Sequence, residues 1–174
     1  MSESDLPLIK RWLEADHVTP WWGLPPTFEA LAAKYLSYVH SEQPVDPYLI
    51  LFDGRPVGYI QTFRVAQWPA YWPPGKPYTA EPQAAGIDLL IGDRALTGRG
   101  LGSEVIRQFV HKVVFVDPQV PACYADPAAD NLASLVAFER AGFVDMGPIE
   151  APDDLTHRQL LRLTRERHFE RLKR

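Results

Sequence analysis

The segment from Ile87 to Val114 constrains this chain more than any other. An apolar run, Ile87-Asp88-Leu89-Leu90-Ile91, leads toward a glycine cluster, Gly98, Gly100 and Gly102, and the cluster opens onto a stretch with helical periodicity. Leu101, Val105, Ile106, Phe109, Val110, Val113 and Val114 share one face at helical spacing, which predicts an amphipathic helix with one buried stripe. A glycine turn at a helix N-terminus presents backbone N–H groups that have no intrahelical acceptor, and the helix dipole adds partial positive charge there. Together they form a cradle for a pyrophosphate. The other reading is a turn that merely starts a helix. Three alternating glycines between a strand and a helix favour the cradle.

Two better-known phosphate loops do not fit. Gly98-x-Gly100-x-Gly102 is not the G-x-G-x-x-G fingerprint, and no acidic ribose partner follows in a second parallel strand. There is no G-K-[ST], which excludes the nucleoside triphosphate loop.

The chain has 174 residues, enough for a sizeable core, and is expected to form one domain over residues 1–174. The net charge is −4 and no long basic run occurs before the last dozen residues, which argues against a nucleic-acid partner. A single cysteine, Cys123, excludes an internal disulfide, and no Cys/His cluster suggests a metal. Its setting, Val120-Pro-Ala-Cys-Tyr-Ala125, reads as a strand, so a buried inert thiol is expected. The acidic, polar N-terminus does not read as a signal peptide, and no apolar run reaches about 18 residues. No membrane association is expected, and the expected location is the cytoplasm.

Helices are predicted at residues 5–15, where Leu6, Ile9, Trp12 and Leu13 share a face, and at 27–41, capped by Thr27 and burying Phe28, Leu31, Ala32, Tyr35, Leu36 and Val39. Residues 48–52 and 57–63 read as a hairpin joined by Asp53-Gly54. Residues 64–84 interleave Trp68, Tyr71, Trp72 and Tyr78 with prolines that no core strand tolerates, and read as a long ordered loop. A strand at 86–91, the glycine turn, a helix to about 116, a strand at 120–125, a helix at 131–141 stopped by Gly142, and closing strands at 143–149 and 159–164 follow. The basic and acidic C-terminal run, residues 158–174, reads as a solvated tail. This order predicts an α/β (α+β) fold built on a single sheet.

The run Thr97-Gly98-Arg99-Gly100-Leu101-Gly102-Ser103, followed by Asp126-Pro127, Asn131 and Phe138-Glu139-Arg140-Ala141-Gly142-Phe143, resembles the GNAT superfamily of acetyl-CoA-dependent N-acetyltransferases. Trp12-Leu13, His17-Val18, Trp21-Trp22-Gly23, Gly58-Tyr59-Ile60-Gln61 and Gly86-Ile87-Asp88 are similar to segments of the type I aminoglycoside 6′-N-acetyltransferases. The likeness covers nearly the whole chain.

The resemblance implies a splayed mixed sheet flanked by helices, with acetyl-CoA as the cofactor. The backbone of Thr97, Gly98, Arg99, Gly100, Leu101, Gly102 and Ser103 is then expected at the pyrophosphate, and that of Leu89, Leu90 and Ile91 along the pantetheine arm. Asn131 and Phe138 are also expected at the cofactor. Asp88 is implied as the catalytic carboxylate, although without the resemblance the residue reads first as an ordinary strand-end or bulge acid. The partner implied is a small-molecule amine, with an aminoglycoside-like amino sugar foremost, and Trp22, Gln61, Trp72, Asp88 and Asp126 are the expected contacts. A hydroxylysine-type acceptor, a peptide amine, or a non-catalytic coenzyme A sensor are the alternatives. A monomer or homodimer is expected.

Three departures from the family stand out. Phe138 occupies a position where relatives often carry a tyrosine that protonates the departing thiolate. The thiolate then leaves unassisted, or another group such as Tyr124, Ser134 or water serves, or the protein is impaired. Glu81 is the only carboxylate in residues 64–84, where relatives often hold an acidic loop. Relatives usually have a strand before the first helix, so the sheet is expected to lack one edge strand unless the start lies upstream.

Overall fold

The structure, a computed structural model, describes residues 1–69, 81–150 and 157–173. Most of the aromatic loop, Trp72 included, lies outside the described residues. The chain groups into two compact units, residues 1–62 with 88–99, and residues 63–87 with 100–174. The sheet order is β1-β2-β3-β4-β6-β5.

In the first unit a short 3-10 turn, Glu3–Asp5, precedes α1 (Leu6–Leu13), and no strand comes before it among the described residues. Pro7 sits in the first turn, where its missing N–H is not needed. Leu6, Ile9, Trp12 and Leu13 are buried, as their spacing predicts. In α2 (Phe28–Val39) the Thr27 hydroxyl accepts from the Ala30 N–H at 3.1 Å, a cap typically contributing about 1 kcal/mol. Leu31 and Tyr35 are buried, but Phe28, expected inside, is 41% exposed. It is the first helical residue, and the packed stripe begins one turn later. The core here joins Ile9, Trp12, Leu13, Leu31 and Tyr35 to Tyr59 and Leu90.

β1 (Val45–Phe52) and β2 (Arg55–Arg64) form the expected hairpin. Asp53 and Gly54 both have positive φ, 49° and 74°, as a two-residue primed turn requires. β3 (Ala85–Ile91) contributes its second half to this unit. A side chain at Gly58 would run into the Leu90 carbonyl oxygen, so glycine there permits a close backbone approach.

In the second unit the first half of β3 runs parallel to β4 (Ala122–Ala125), with Ala85 opposite Cys123 and Gly86 opposite Tyr124. β4 is antiparallel to β6 (His157–Thr164), which is antiparallel to β5 (Val144–Glu150), with an irregularity between Asp145 and Pro148. Cys123 is buried within β4, as expected. α3 (Leu101–Lys112) stops short of the predicted end and gives way to a 3-10 turn at Val114–Val116. The β-branched run Val113, Val114 and Val116 disfavours continuing the helix. α4 (Leu132–Ala141) ends at Gly142, as predicted.

The C-terminal run is not a solvated tail. It forms α5 (Arg165–Leu172), whose first turn is capped when the Thr164 hydroxyl accepts from the Arg167 N–H at 3.1 Å. His168 is only 3% exposed, and its ring packs 5.4 Å from that of Phe115. The Arg165 guanidinium donates to the carbonyls of Phe115 at 3.0 Å and Val120 at 2.9 Å, and also to that of Asp117. Too few apolar positions mark this helix for its periodicity to stand out in the sequence. No described helix is long and apolar enough to cross a membrane.

Candidate active site

Asp88 begins the portion of β3 that belongs to the first unit. Gln61 Nε2 donates to Asp88 Oδ2 at 2.7 Å, and Tyr59 Oη donates to Gln61 Oε1 at 2.7 Å. Residues 59 and 61 lie on one face of β2 because successive strand side chains alternate. Two residues that the sequence singled out, Gln61 and Asp88, are therefore in direct contact. Tyr59 was missed as a site residue; its signal was the i, i+2 spacing within Gly58-Tyr59-Ile60-Gln61.

An aromatic cluster surrounds this chain of hydrogen bonds. Tyr59 stacks edge-on with Tyr35 at 5.4 Å and with Trp22 at 5.8 Å, and Tyr35 stacks edge-on with Tyr38 at 5.8 Å. Trp22 Nε1 donates to the Tyr35 hydroxyl oxygen at 3.1 Å, so the indole nitrogen is held within the cluster. Burial pushes the Tyr35, Tyr38 and Tyr59 hydroxyls above the usual phenol range, and the negative charge of Asp88 pushes each further. These phenols stay protonated and act as neutral hydrogen-bonding groups beside a carboxylate.

The end of β3 is fixed from the first loop. His17 Nε2 lies 2.9 Å from the Ile91 carbonyl oxygen, which accepts from the ring N–H. That bond ties the first loop to the end of β3. Leu90 is buried, while Leu89 and Ile91 are half-buried.

Downstream, Thr97 Oγ1 donates to the Arg94 carbonyl at 2.8 Å, and residues 97–100 are exposed. Gly98 and Gly100 are left-handed, with φ of 71° and 82°, a region that suits glycine and few other residues. A Cβ at either would meet nothing within 4 Å, so the outer side of the turn is open. Gly100 is the N-cap of α3 and has no side chain with which to cap it. The N–H groups of Leu101, Gly102 and Ser103 occupy the first turn, where no intrahelical acceptor exists. An uncapped helix start, an open glycine turn and a helix dipole suit a pyrophosphate, so the residues fit the expected cofactor. At Gly102 a Cβ would stand 3.5 Å from Ala137 Cβ.

The remaining sequence-predicted residues lie in the second unit. Asn131 caps α4, its Oδ1 accepting from the Ser134 N–H at 3.1 Å. Phe138 is 3% exposed and packs edge-on against Phe143 with ring centroids 5.0 Å apart. Asp126 is 5% exposed, with Oδ2 3.8 Å from Arg158 Nη1, and its backbone carbonyl accepts from the same nitrogen at 3.2 Å. An ion-paired, buried Asp126 is arranged differently from an open substrate contact. Tyr124 Oη donates to Glu81 Oε2 at 2.5 Å, and burial followed by the Glu81 carboxylate raises the Tyr124 hydroxyl above the usual phenol range. Tyr124 is thus already committed as a donor, which weighs against it as the stand-in acid.

Comparisons with known proteins show the family of the chain. Residues 2–151 match the family described as "Acetyltransferase (GNAT) domain". The chain is 32% identical over 157 residues to the aminoglycoside N(6′)-acetyltransferase type 1 of Klebsiella pneumoniae, covering 88% of this chain and 76% of that protein. Among solved structures it resembles aminoglycoside acetyltransferase AAC(6′)-Ib in complex with coenzyme A, with a TM-score of 0.88 and 31% identity over 100% of this chain and 96% of the other. The same enzyme with coenzyme A and kanamycin matches at a TM-score of 0.87 and 31% identity, covering 100% and 96% of the two chains. The chain belongs to the GNAT acetyltransferase family.

Proposed function

We propose that this protein transfers an acetyl group from acetyl-CoA to a primary amine of an aminoglycoside-like amino sugar, the 6′-amine foremost. The observation that carries the reading is the Asp88 carboxylate, held at 2.7 Å by Gln61 on the strand that leads into the open glycine turn. The relatives' aminoglycoside substrates support the choice of acceptor.

The backbone N–H groups of residues 98–103 would hold the coenzyme A pyrophosphate, with the backbone of residues 89–91 beside the pantetheine arm. When bound, acetyl-CoA supplies an activated acetyl thioester. The acceptor amine is a cation at neutral pH and must lose a proton before it can attack. Asp88 accepts that proton, directly or through water, and orients the cation beforehand. Trp22 and Tyr38, both half-buried, offer aromatic faces on which a sugar ring can rest. Phe138 has no proton to donate, so the thiolate departs without help from that side chain.

The test is a thiol-release assay with acetyl-CoA and a panel of kanamycin, tobramycin, hydroxylysine and a peptide amine. Turnover of the aminoglycosides and its loss in Asp88→Asn are expected. Tight coenzyme A binding by calorimetry with no turnover of any amine would favour a sensor instead. Full activity of Asp88→Asn across pH 6 to about 9 would remove the proton-acceptor role.

A further inference from the structure

We propose that Tyr59 and Gln61 are positioning residues for Asp88, a directional hydrogen-bond chain that locks the carboxylate's orientation. The inference rests on reading Asp88 as the proton acceptor of the reaction.

The direction of the chain follows from chemistry. An ionised carboxylate can only accept, so the Gln61 amide must turn its nitrogen toward Asp88. Its carbonyl oxygen is then left facing Tyr59, and the pair at 2.7 Å can be satisfied only if the tyrosine donates. Tyr59 has one proton, and its side chain is 0% exposed. The hydroxyl is therefore a protonated donor with no bulk water competing for it. Tyr59 selects the orientation of Gln61, and Gln61 presents an N–H to Asp88.

This arrangement changes the role expected of Gln61. Both polar atoms of its amide are engaged by protein groups, and an amide neither accepts nor releases a proton near neutral pH. Its effect on proton transfer therefore runs through the carboxylate. A charge-assisted N–H···O bond at 2.7 Å favours the ionised form of its acceptor and restricts its rotamer. Without Tyr59's hydroxyl, the Gln61 amide can flip and point a carbonyl oxygen at Asp88, replacing attraction with repulsion.

The inference is tested by two measurements on the full chain, as wild type, Tyr59→Phe, Gln61→Leu, Gln61→Glu and Asp88→Asn. The first is a pH titration of the aspartate 13Cγ signals, with the Asp88 signal assigned by its loss in Asp88→Asn. The expected result is an Asp88 midpoint that rises in Gln61→Leu and Tyr59→Phe, and rises most in Gln61→Glu, which sets a second carboxyl against the first. The second is acetyl transfer against pH. Gln61→Leu is expected to lower kcat about tenfold, to change the acceptor KM less than about threefold, and to move the acidic limb of kcat/KM upward. Tyr59→Phe, which removes one oxygen and keeps the ring packing, shows the same signature more weakly. An Asp88 midpoint unmoved in both Gln61→Leu and Tyr59→Phe overturns the positioning role, whatever the turnover. Full turnover by Asp88→Asn overturns the proton-acceptor reading alone, because the titration still reports on the chain.

Discussion

Arg162 grips Glu81 through two nitrogens, its Nε donating to Oε2 at 3.1 Å and its Nη2 donating to Oε1. Tyr124 adds a third donor to the same carboxylate. Burial alone would raise the Glu81 carboxyl; the hydrogen bonds from Arg162 and Tyr124, with the Arg162 charge, outweigh it and hold the group below its ordinary range. Glu81 is the sole carboxylate of residues 64–84, and in this arrangement it neutralises Arg162 instead of standing open to a cationic acceptor.

Arg162→Met therefore leaves a half-buried carboxylate without its cation. Breaking a fully buried pair costs about 3–5 kcal/mol. Partial exposure of these side chains, 27% for Arg162 and 17% for Glu81, brings the expectation down to about 2 kcal/mol. For a chain of this size that corresponds to a fall in Tm of roughly 4–8 °C. The double variant Glu81→Gln/Arg162→Met should recover part of the loss, because no uncompensated charge remains. The folded Glu81 titrates below its ordinary 4.5. Its contribution is thus complete above about pH 4.5 and is lost as the pH falls through the lower folded value. Thermal melts of wild type and Glu81→Gln should converge over that acidic range.

His168 adds a second loss of stability on acidification, at higher pH than that of Glu81. Burial, then the neighbouring His111, then Arg165 push its imidazole below the ordinary 6.5. His111 Nδ1 and His168 Nε2 are 3.2 Å apart. A histidine with a lowered folded value contributes stability that is complete above about pH 6.5 and is lost as the pH drops toward the folded value. Wild type should lose Tm between pH 7 and about 5, and His168→Gln should lose less over the same interval. Equal pH slopes for the two proteins in thermal melts would rule this out.

Local chemistry explains what could be read from the sequence. The Asp53-Gly54 hairpin, the Thr27 cap, the Gly142 stop and the strand–turn–helix at Gly98 to Ser103 each depend on residues adjacent in the chain. α5 escaped notice because its packing depends on Phe115 and His111, distant in sequence, while its own residues are mostly charged. The link from Gln61 to Asp88 was hidden for the same reason: 27 positions separate the partners, and only the neighbouring β2 and β3 strands bring them together. The ion pairs of Glu81 with Arg162 and of Asp126 with Arg158 likewise join distant strands and loops.

The glycine turn yields a prediction about the donor. Gly100 has φ 82° with open space where a side chain would project. Alanine there is strained by about 1–2 kcal/mol in the left-handed region. If the turn holds the pyrophosphate as proposed, the added methyl also puts bulk at the start of α3 beside the first-turn N–H groups. Gly100→Ala should weaken coenzyme A binding by about tenfold or more in calorimetry, while Tm falls by only a few degrees. Affinity unchanged beyond about twofold would place the pyrophosphate elsewhere.

The Phe138 ring is 3% exposed and lies edge-on to Phe143. A tyrosine at this position adds a hydroxyl to a packed environment, which costs about 1–3 kcal/mol if the hydroxyl finds no partner. If it reaches the departing thiolate, it supplies the proton that phenylalanine cannot. A thiol with an ordinary value near 8.5 leaves tolerably well unaided, so the gain belongs at or below the lower end of the usual range for general-acid help. Phe138→Tyr should therefore raise kcat by roughly tenfold to a hundredfold, together with a small loss of Tm. A lower Tm with unchanged kcat would show that the new hydroxyl faces the core, and that thiolate departure in this enzyme does not depend on position 138.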